Sequence, residues 1–151
     1  MALVQGTTFD DVYWTNVLKK VQEIIIAEFT YGHVYIAPEI QHIDPFSIRI
    51  WGPGASTETV WSDKWHKTYQ VDINLYSIEK NPSEAVYKRF FNDSERLYQL
   101  MFNNVGISGS LGWYGGEVED IVYNELEDTE EEIEGLQKAE FGFSCIVGRA
   151  E

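Results

Sequence analysis

Two stretches of the sequence, residues 68–75 and 139–147, alternate apolar side chains with mostly polar ones. Successive side chains of a β-strand point to opposite faces of a sheet, so this period of two predicts strands with one apolar face. An apolar face has to be covered by another layer, and the polar alternation predicts a sheet that is covered on one side only. The chain therefore has to combine a sheet with a second layer of packed elements.

Helical periodicity supplies that layer, first in a segment of about 20 residues that follows Thr8 and ends at Tyr31 and Gly32. The apolar positions, spaced by three and four, are Trp14, Val17, Leu18, Val21, Ile24, Ile25 and Phe29. This spacing places them along one side of an α-helix, so we expect an amphipathic helix with that side buried.

A second helix is predicted from residue 82. The tetrapeptide Asn-Pro-Ser-Glu at residues 81–84 offers Asn81 as an N-cap acceptor, proline at the first helical position and a glutamate at N3. The predicted apolar stripe consists of Val86, Phe90, Phe91, Leu97, Tyr98, Met101 and Phe102. Two asparagines and a glycine within residues 103–106 predict its end.

Further strands are predicted at residues 34–36, at 46–51 and near 118–126. The Gly-Pro-Gly sequence at residues 52–54 is typical of a turn, so the strand at 46–51 is expected to end there. Residues 52–65 then form either a long hairpin or a mobile loop, and we favour a hairpin arm.

The order of the predicted elements is helix, three strands, helix, then two or three strands. Strands that follow one another in runs favour an α+β fold, with a mostly antiparallel sheet and both amphipathic helices on one face. A length of 151 residues suits a single domain, residues 1–151. Hydrophobic residues make up 44% of the chain, which is enough material for a packed core.

The charge is strongly acidic and unevenly placed. The chain has 25 acidic and 11 basic side chains, for a net charge of −14, which argues against a surface that grips nucleic acid. Residues 117–134 contain ten acids and no lysine or arginine: Glu117, Glu119, Asp120, Glu125, Glu127, Asp128, Glu130, Glu131, Glu132 and Glu134. This acidic segment is either a solvated loop or, as a sharper hypothesis, a surface that faces a lumen through which a polyanion passes.

A search for catalytic and metal-binding patterns is negative. His33, His42 and His66 match no metal-ligand spacing. Cys145 falls in the apolar phase of the last strand, where it is expected to be a core residue and not a nucleophile, and a lone cysteine is typical of a reducing compartment. The glycines of residues 106–116 lack a phosphate-loop pattern. These patterns point to no catalytic group and no cofactor site, and no apolar window suggests a membrane partner.

Large aromatic residues in or beside predicted loops are candidates for local packing or for an interface. The candidate interface residues are Trp51, Trp61, Trp65, Trp113 and Tyr114. Two other readings stay open: a small-molecule-binding or enzymatic domain with a pocket lined by Tyr69, Tyr76, Tyr98 and Trp113, and an adaptor that pairs through a sheet edge.

The order of elements also resembles a known family. The sequence Trp-Ser-Asp-Lys-Trp at residues 61–65, the strand that follows it to residue 76, and the last strand at 138–143 are similar to the tail terminator or neck proteins of long-tailed bacteriophages. The resemblance covers most of the chain. It rests on the order and size of the elements more than on fixed motifs.

The resemblance implies a structural virion protein without catalytic residues. Such a protein forms a homohexameric ring that caps the tail tube, ends tail polymerisation and joins the head connector. The implied partners are further copies of the chain, the tail tube protein, a connector or stopper protein, a sheath protein where the tail is contractile, and genomic DNA that passes through without specific binding. The implied location is the virion neck, and the host cytoplasm during assembly.

Overall fold

The computed structural model describes residues 11–39, 46–61, 64–79, 83–108, 112–124 and 136–150. Two helices pack against a six-stranded sheet. In chain order the elements are a π-helical segment Val12–Leu18 continued by α1 (Lys19–Glu28), β1 (His33–Ile36), β2 (Phe46–Trp61), β3 (Lys64–Ile78), α2 (Glu84–Asn103), β4 (Tyr114–Val118), β5 (Val122–Asn124) and β6 (Leu136–Ala150). No helix in these ranges is long and apolar enough to cross a bilayer.

The strands lie in the order β1-β2-β3-β6-β4, and β5 pairs with β6 beside β4. Strand β1 runs parallel to β2, whereas the other described pairs are antiparallel. The predicted α+β fold with a mostly antiparallel sheet is therefore confirmed. The strand predicted near residues 118–126 is two short strands, β4 and β5, and residues 125 and 126 lie outside the described ranges.

One hydrophobic cluster joins both helices to the same face of the sheet. Strand register aligns Ile50 of β2 with Ile73 of β3 and Phe141 of β6, and all three side chains are buried. Val21 of α1 and Leu97 of α2 belong to the same cluster. Burial of this apolar area is the main force that holds the layers together, and it confirms that both helices cover one face.

The first helix is not a regular α-helix at its start. The Lys19 N–H donates to the Trp14 carbonyl, five residues back, which is the π-helical spacing. A step of five residues brings Val12 and Val17 to the same buried side, and the α-helical step of four then continues to Val21. The prediction that Trp14 lies on the buried stripe is wrong, since its side chain is 46% exposed.

The second helix begins two residues later than predicted. Ser83 is the N-cap, and its carbonyl accepts from the Val86 and Tyr87 N–H groups at 3.0 and 3.1 Å. Ser83 makes no side-chain capping bond, and Asn81 lies outside the described residues. Since Glu84 now falls in the first turn, its charge still complements the positive end of the helix.

Strand β2 does not end at the Gly-Pro-Gly sequence. The register changes from Trp51 opposite Asp72 to Gly54 opposite Gln70, so β2 carries one extra residue there and forms a β-bulge. A bulge accommodates Pro53, which has no N–H for the sheet ladder. The strand then continues to Trp61, and residues 54–61 with 64–70 are called the outer hairpin below.

The opposite face of the sheet is not fully open to solvent. Ser47, Arg49, Asn74 and Tyr76 are buried there. The Arg49 guanidinium donates from Nη1 to the carbonyl oxygens of Ala37 and Pro38, each at 2.9 Å. The prediction of a sheet covered on one side only is therefore wrong near the end of β1, because the chain after β1 is held against this face.

Candidate functional site

The outer hairpin is part of three paired strands. β2 pairs with β3 from Gly54 opposite Gln70 to Trp61 opposite Lys64, which confirms the predicted hairpin over a loop. β6 pairs with β3 along its whole length, as far as Lys64 opposite Ala150. A two-stranded ribbon is marginally stable alone, and the third strand stabilises this extension. The outer hairpin together with the part of β6 that pairs with it is called the platform below.

The outer edge of this platform is open among the described residues. β1 pairs with β2 over residues 47–50, and the Ala37 N–H adds one further bond to the Ile50 carbonyl at 3.0 Å. Beyond the bulge, no strand within the described ranges pairs with the outer edge of β2 at residues 55–61. An edge of this length presents backbone donors and acceptors that another strand can use.

At the other end of the sheet, the outer edge of β4 is covered. The Gly116 N–H of β4 donates to the Val105 carbonyl at 2.8 Å, and the backbone of Ile107 exchanges two hydrogen bonds with that of Trp113 at 2.9 and 3.0 Å. The chain between α2 and β4 thus occupies this edge. The β4 edge is thus covered, whereas β2 at residues 55–61 has no strand partner on its outer side within the described ranges.

The five predicted interface residues are not in one place. Trp51 is 36% exposed on the face of β2 opposite the core cluster, and Tyr114 is 44% exposed on β4. Trp61 and Trp65 occupy strand positions opposite Lys64 and Thr59, while their side chains lie outside the description. The structure thus places two of the five tryptophan and tyrosine candidates, Trp61 and Trp65, in the outer hairpin.

Trp113 is a core residue, so of the two alternatives for it, local packing and an interface, the structure shows local packing. Its side chain is 3% exposed and lies against the Phe143 ring at a centroid distance of 5.7 Å. The indole Nε1 donates to the Asn104 carbonyl at 2.8 Å, which satisfies its one polar group in the interior. The bridge with Ile107 holds the loop in this position and turns Trp113 inward.

Tyr114 faces the outer hairpin across β6. Its hydroxyl lies 3.5 Å from Nε2 of His66 on β3, and the two rings meet edge to face at 5.5 Å. This contact joins β4 to the platform on the side away from the open edge. Tyr114 is thereby a surface residue with a fixed orientation.

The described part of the acidic segment is exposed. Glu117 of β4 and the two residues that follow this strand, Glu119 and Asp120, have exposed side chains. The Glu119 N–H donates to the Gly142 carbonyl at 2.8 Å, and its carboxylate covers Gly142, where a Cβ would approach within 2.7 Å. The other predicted lumen residues lie outside the described ranges: Glu125, Glu127, Asp128, Glu130, Glu131, Glu132 and Glu134.

An exposed aromatic stripe on α2 was not predicted from the sequence. Tyr87, Phe91 and Phe102 are exposed, although Phe91 and Phe102 were predicted to be buried. Phe91 leans on the Tyr123 ring of β5 at 4.6 Å. Phe91 follows the buried Phe90 by one residue and therefore lies about 100° further around the helix, outside the buried face.

The predicted tyrosine pocket does not form. Tyr69 and Tyr76 are seven positions apart on β3, so they point to opposite faces of the sheet. A different cavity, of about 180 Å³, is small beside the ~300 Å³ or more of typical ligand sites. Its lining residues are Tyr31, Phe46, Leu75, Ser77, Arg89, Phe90 and Asp93.

Two of the polar groups at that cavity are hydrogen-bonded to each other. The Tyr31 hydroxyl donates to Asp93 Oδ1 at 3.2 Å, and burial raises the pKa of both groups. In the described part of the chain, no cluster of three His, Cys, Asp or Glu side chains could hold a metal ion. Burial raises the pKa of the Cys145 thiol to about 12, which leaves it without nucleophilic thiolate near neutral pH.

The strongest candidate site is therefore a surface, the outer hairpin with its open β2 edge. Comparison with known proteins adds no assignment: no protein-family model matches the chain, and no curated protein matches its sequence.

Proposed function

We propose that this chain is a structural subunit of a homo-oligomeric ring, of the kind that tail terminator or neck proteins of long-tailed bacteriophages form. The observation that carries the proposal is the open β2 edge of the outer hairpin, at residues 55–61. Proteins that work as monomers shorten, cover or charge such edges, because an open edge recruits another strand. A platform of three strands with an unpaired β2 edge is suited to contact a neighbouring subunit.

A ring requires the open β2 edge of one subunit to meet a different surface of the next subunit, and not the same edge. A contact between the open edge of one subunit and a different surface of the next is heterologous, and heterologous contacts close into rings when the rotation permits. A hexamer is the number that the resemblance implies. The ring would cap the tail tube, stop its growth and present a surface to the connector or stopper protein of the head.

The acidic segment has a role in the same proposal. Glu117, Glu119 and Asp120 are exposed, and they begin the densest run of negative charge in the chain. A surface of this sign repels the phosphates of DNA, so it suits a lumen through which DNA has to slide. No residue of the chain is required to react chemically in this function.

The open edge can be tested with a matched pair of proline substitutions, Ser56→Pro and Thr57→Pro. Backbone N–H groups point alternately to the two sides of a strand, so one variant removes a donor used by β3 and the other removes a donor on the open edge. We expect the variant that removes a donor to β3 to disturb the hairpin. The variant that removes a donor on the open edge should keep the monomer fold and lose assembly. Native mass spectrometry and circular dichroism separate the two results.

A second test uses the tryptophans of the outer hairpin. We expect Trp61→Ala combined with Trp65→Ala to weaken the oligomer and to leave the fold intact, because aromatic side chains dominate interface energies. Trp14→Ala is the control, since Trp14 is an exposed tryptophan on the first helix. A wild-type protein that remains a monomer at every concentration, with no rings in negative-stain images, would refute the proposed function.

A further inference from the structure

The Tyr13 hydroxyl lies at the β-bulge where the outer hairpin leaves the body of the protein. It accepts from the Gly54 N–H at 3.2 Å and faces two carbonyl oxygens, that of Gly54 at 2.8 Å and that of Gln70 at 2.6 Å. A phenol has one proton, so the two carbonyls share it in a bifurcated bond. One hydroxyl thus joins β2 and β3 on the first residue pair after the bulge.

The Tyr13 ring is fixed as firmly as its hydroxyl. It meets the Tyr69 ring edge to face, with centroids 4.8 Å apart. On the other side it covers Gly52, where an added Cβ would lie 2.7 Å from ring atoms of Tyr13. The glycine in the bulge is therefore required by the close approach of this ring.

The contact spans two parts of the fold. Tyr13 belongs to the π-helical segment at the start of the first helix, whereas Gly54 and Gln70 belong to the outer hairpin. A bulge bends a strand and increases its twist, and the amount of bending has to be set by contacts around it. Burial raises the pKa of the Tyr13 hydroxyl, so it remains a proton donor at neutral pH.

We propose that Tyr13 is a positioning residue that fixes the angle between the outer hairpin and the helical layer. This inference rests on the proposed function in one respect: the fixed angle brings the open β2 edge into register with a neighbouring subunit. Without the hydroxyl, the bulge can bend over a wider range, and the hairpin meets a neighbour in the correct orientation less often. Tyr13 therefore preorganises the hairpin for assembly.

The test compares Tyr13→Phe with wild type by measuring one distance across the bulge. Spin labels are placed at Thr57→Cys in the outer hairpin and Gln99→Cys on α2, two exposed positions, and labelled chains are diluted with unlabelled ones. Cys145 is fully buried, so the reagent reaches the introduced cysteines first. We expect a shifted and broader distance distribution in Tyr13→Phe, and faster amide exchange at residues 54–57 and 68–70.

The control is Tyr98→Phe, which removes a hydroxyl from a half-buried tyrosine of α2 that packs on Phe141. It should retain the wild-type distance. Gly52→Ala is a second variant, expected to displace the Tyr13 ring and to reproduce the broad distribution. Both bulge variants should weaken assembly about tenfold or more, while Tyr98→Phe does not.

A Tyr13→Phe distance distribution equal to that of wild type would overturn the inference, whatever the oligomeric state. If Tyr13→Phe shifts the distance distribution but the wild-type protein never assembles, Tyr13 does position the hairpin and the ring is refuted. A change in thermal stability without a change in distance would assign Tyr13 a purely structural role and would also overturn the proposal.

Discussion

Arg49 is a cation in a buried environment, and neutral oxygen atoms satisfy it. Two of its acceptors are the carbonyls of Ala37 and Pro38. With its side-chain amide oriented so that Oδ1 faces the guanidinium, Asn74 accepts from Arg49 Nη2 at 2.9 Å and from Nε at 3.2 Å, and also from the Tyr76 hydroxyl at 3.1 Å. Only the planar fork of an arginine can serve these separate acceptors at once.

We therefore predict a large loss of stability in Arg49→Met, because it removes the guanidinium donors from the Ala37 and Pro38 carbonyls and two of the three donors to Asn74 Oδ1. The free energy of unfolding should fall by about 2–4 kcal/mol, and by about half as much in Arg49→Lys, which retains a charge but not the fork. Urea denaturation followed by circular dichroism measures both. Lys88→Met, at an exposed position of α2, is the control and should stay within about 0.5 kcal/mol of wild type. Equal losses at Arg49 and Lys88 would contradict the role of the buried network.

The buried Cys145 thiol makes the stability of the fold depend on pH. Burial raises the pKa of its thiol from 9.0 to about 12 in the folded protein. Between these values the folded chain holds a proton that the unfolded chain releases, so stability is complete below pH 9 and falls as the pH rises towards 12. Cys145→Ala should show a shallower decline over this window in chemical denaturation. Parallel curves for the two proteins would contradict the buried-thiol account.

Two residues show when the local sequence does and does not predict whether a side chain is buried. Cys145 was correctly assigned to the core, because its strand alternates and its neighbours in phase are apolar. Trp113 was not, since its burial depends on a backbone bridge to Ile107 that no local pattern encodes. The apolar character of a residue can be taken from the sequence, whereas the side of the chain that a loop turns inward depends on distant contacts.

At the scale of elements, periodicity located the helices and strands but not their irregularities. The Gly-Pro-Gly sequence at residues 52–54 is typical of a turn, yet the strand continues through it as a bulge. What decides is long-range pairing: β3 is held by β6 along its whole length, so β2 has a continuous partner beyond the bulge. The β2 edge was likewise hidden, because an edge is a property of the sheet and not of one strand.

The π-helical start of the first helix predicts an unusual pair of mutational effects. Val12→Ala should cost about 1–2 kcal/mol, because its side chain is only 7% exposed. Trp14→Ala should cost less than about 1 kcal/mol, since the ring is exposed and its described contact is with Lys19, 5.7 Å from the ring centroid. Thermal denaturation measures both. A larger loss of stability at Trp14 than at Val12 would contradict the π-helical start and support the regular helix predicted from the sequence.

For the molecule as a whole, composition and element order were enough for the α+β class and for one covered sheet face. They did not predict which residues form the candidate site. Of the predicted interface residues Trp61 and Trp65 lie in the outer hairpin, Trp51 and Tyr114 lie on separate surfaces, and Trp113 is in the core. The whole-molecule arrangement, and above all the contrast between an open and a blocked edge, only exists once the strands are paired.

The net charge of the whole chain predicts how assembly responds to salt. Each copy carries −14, so neighbouring copies repel one another over long distances. Raising the ionic strength from about 0.01 to about 0.15 M shortens the screening length from about 30 to about 8 Å. We expect the oligomeric fraction to increase over this range in analytical ultracentrifugation. A decrease would show that ion pairs between subunits outweigh the general repulsion.

The position of β6 has a consequence for the order of events during synthesis. It follows every other described element in the chain, yet it pairs with β3, β4 and β5. A ribosome therefore completes both helices and the β2–β3 ribbon before the strand that joins the sheet exists, and such distant pairing folds slowly. Until then one side of β3 has no partner and the nascent chain needs protection from aggregation. Only a chain translated through β6 can present the three-stranded platform.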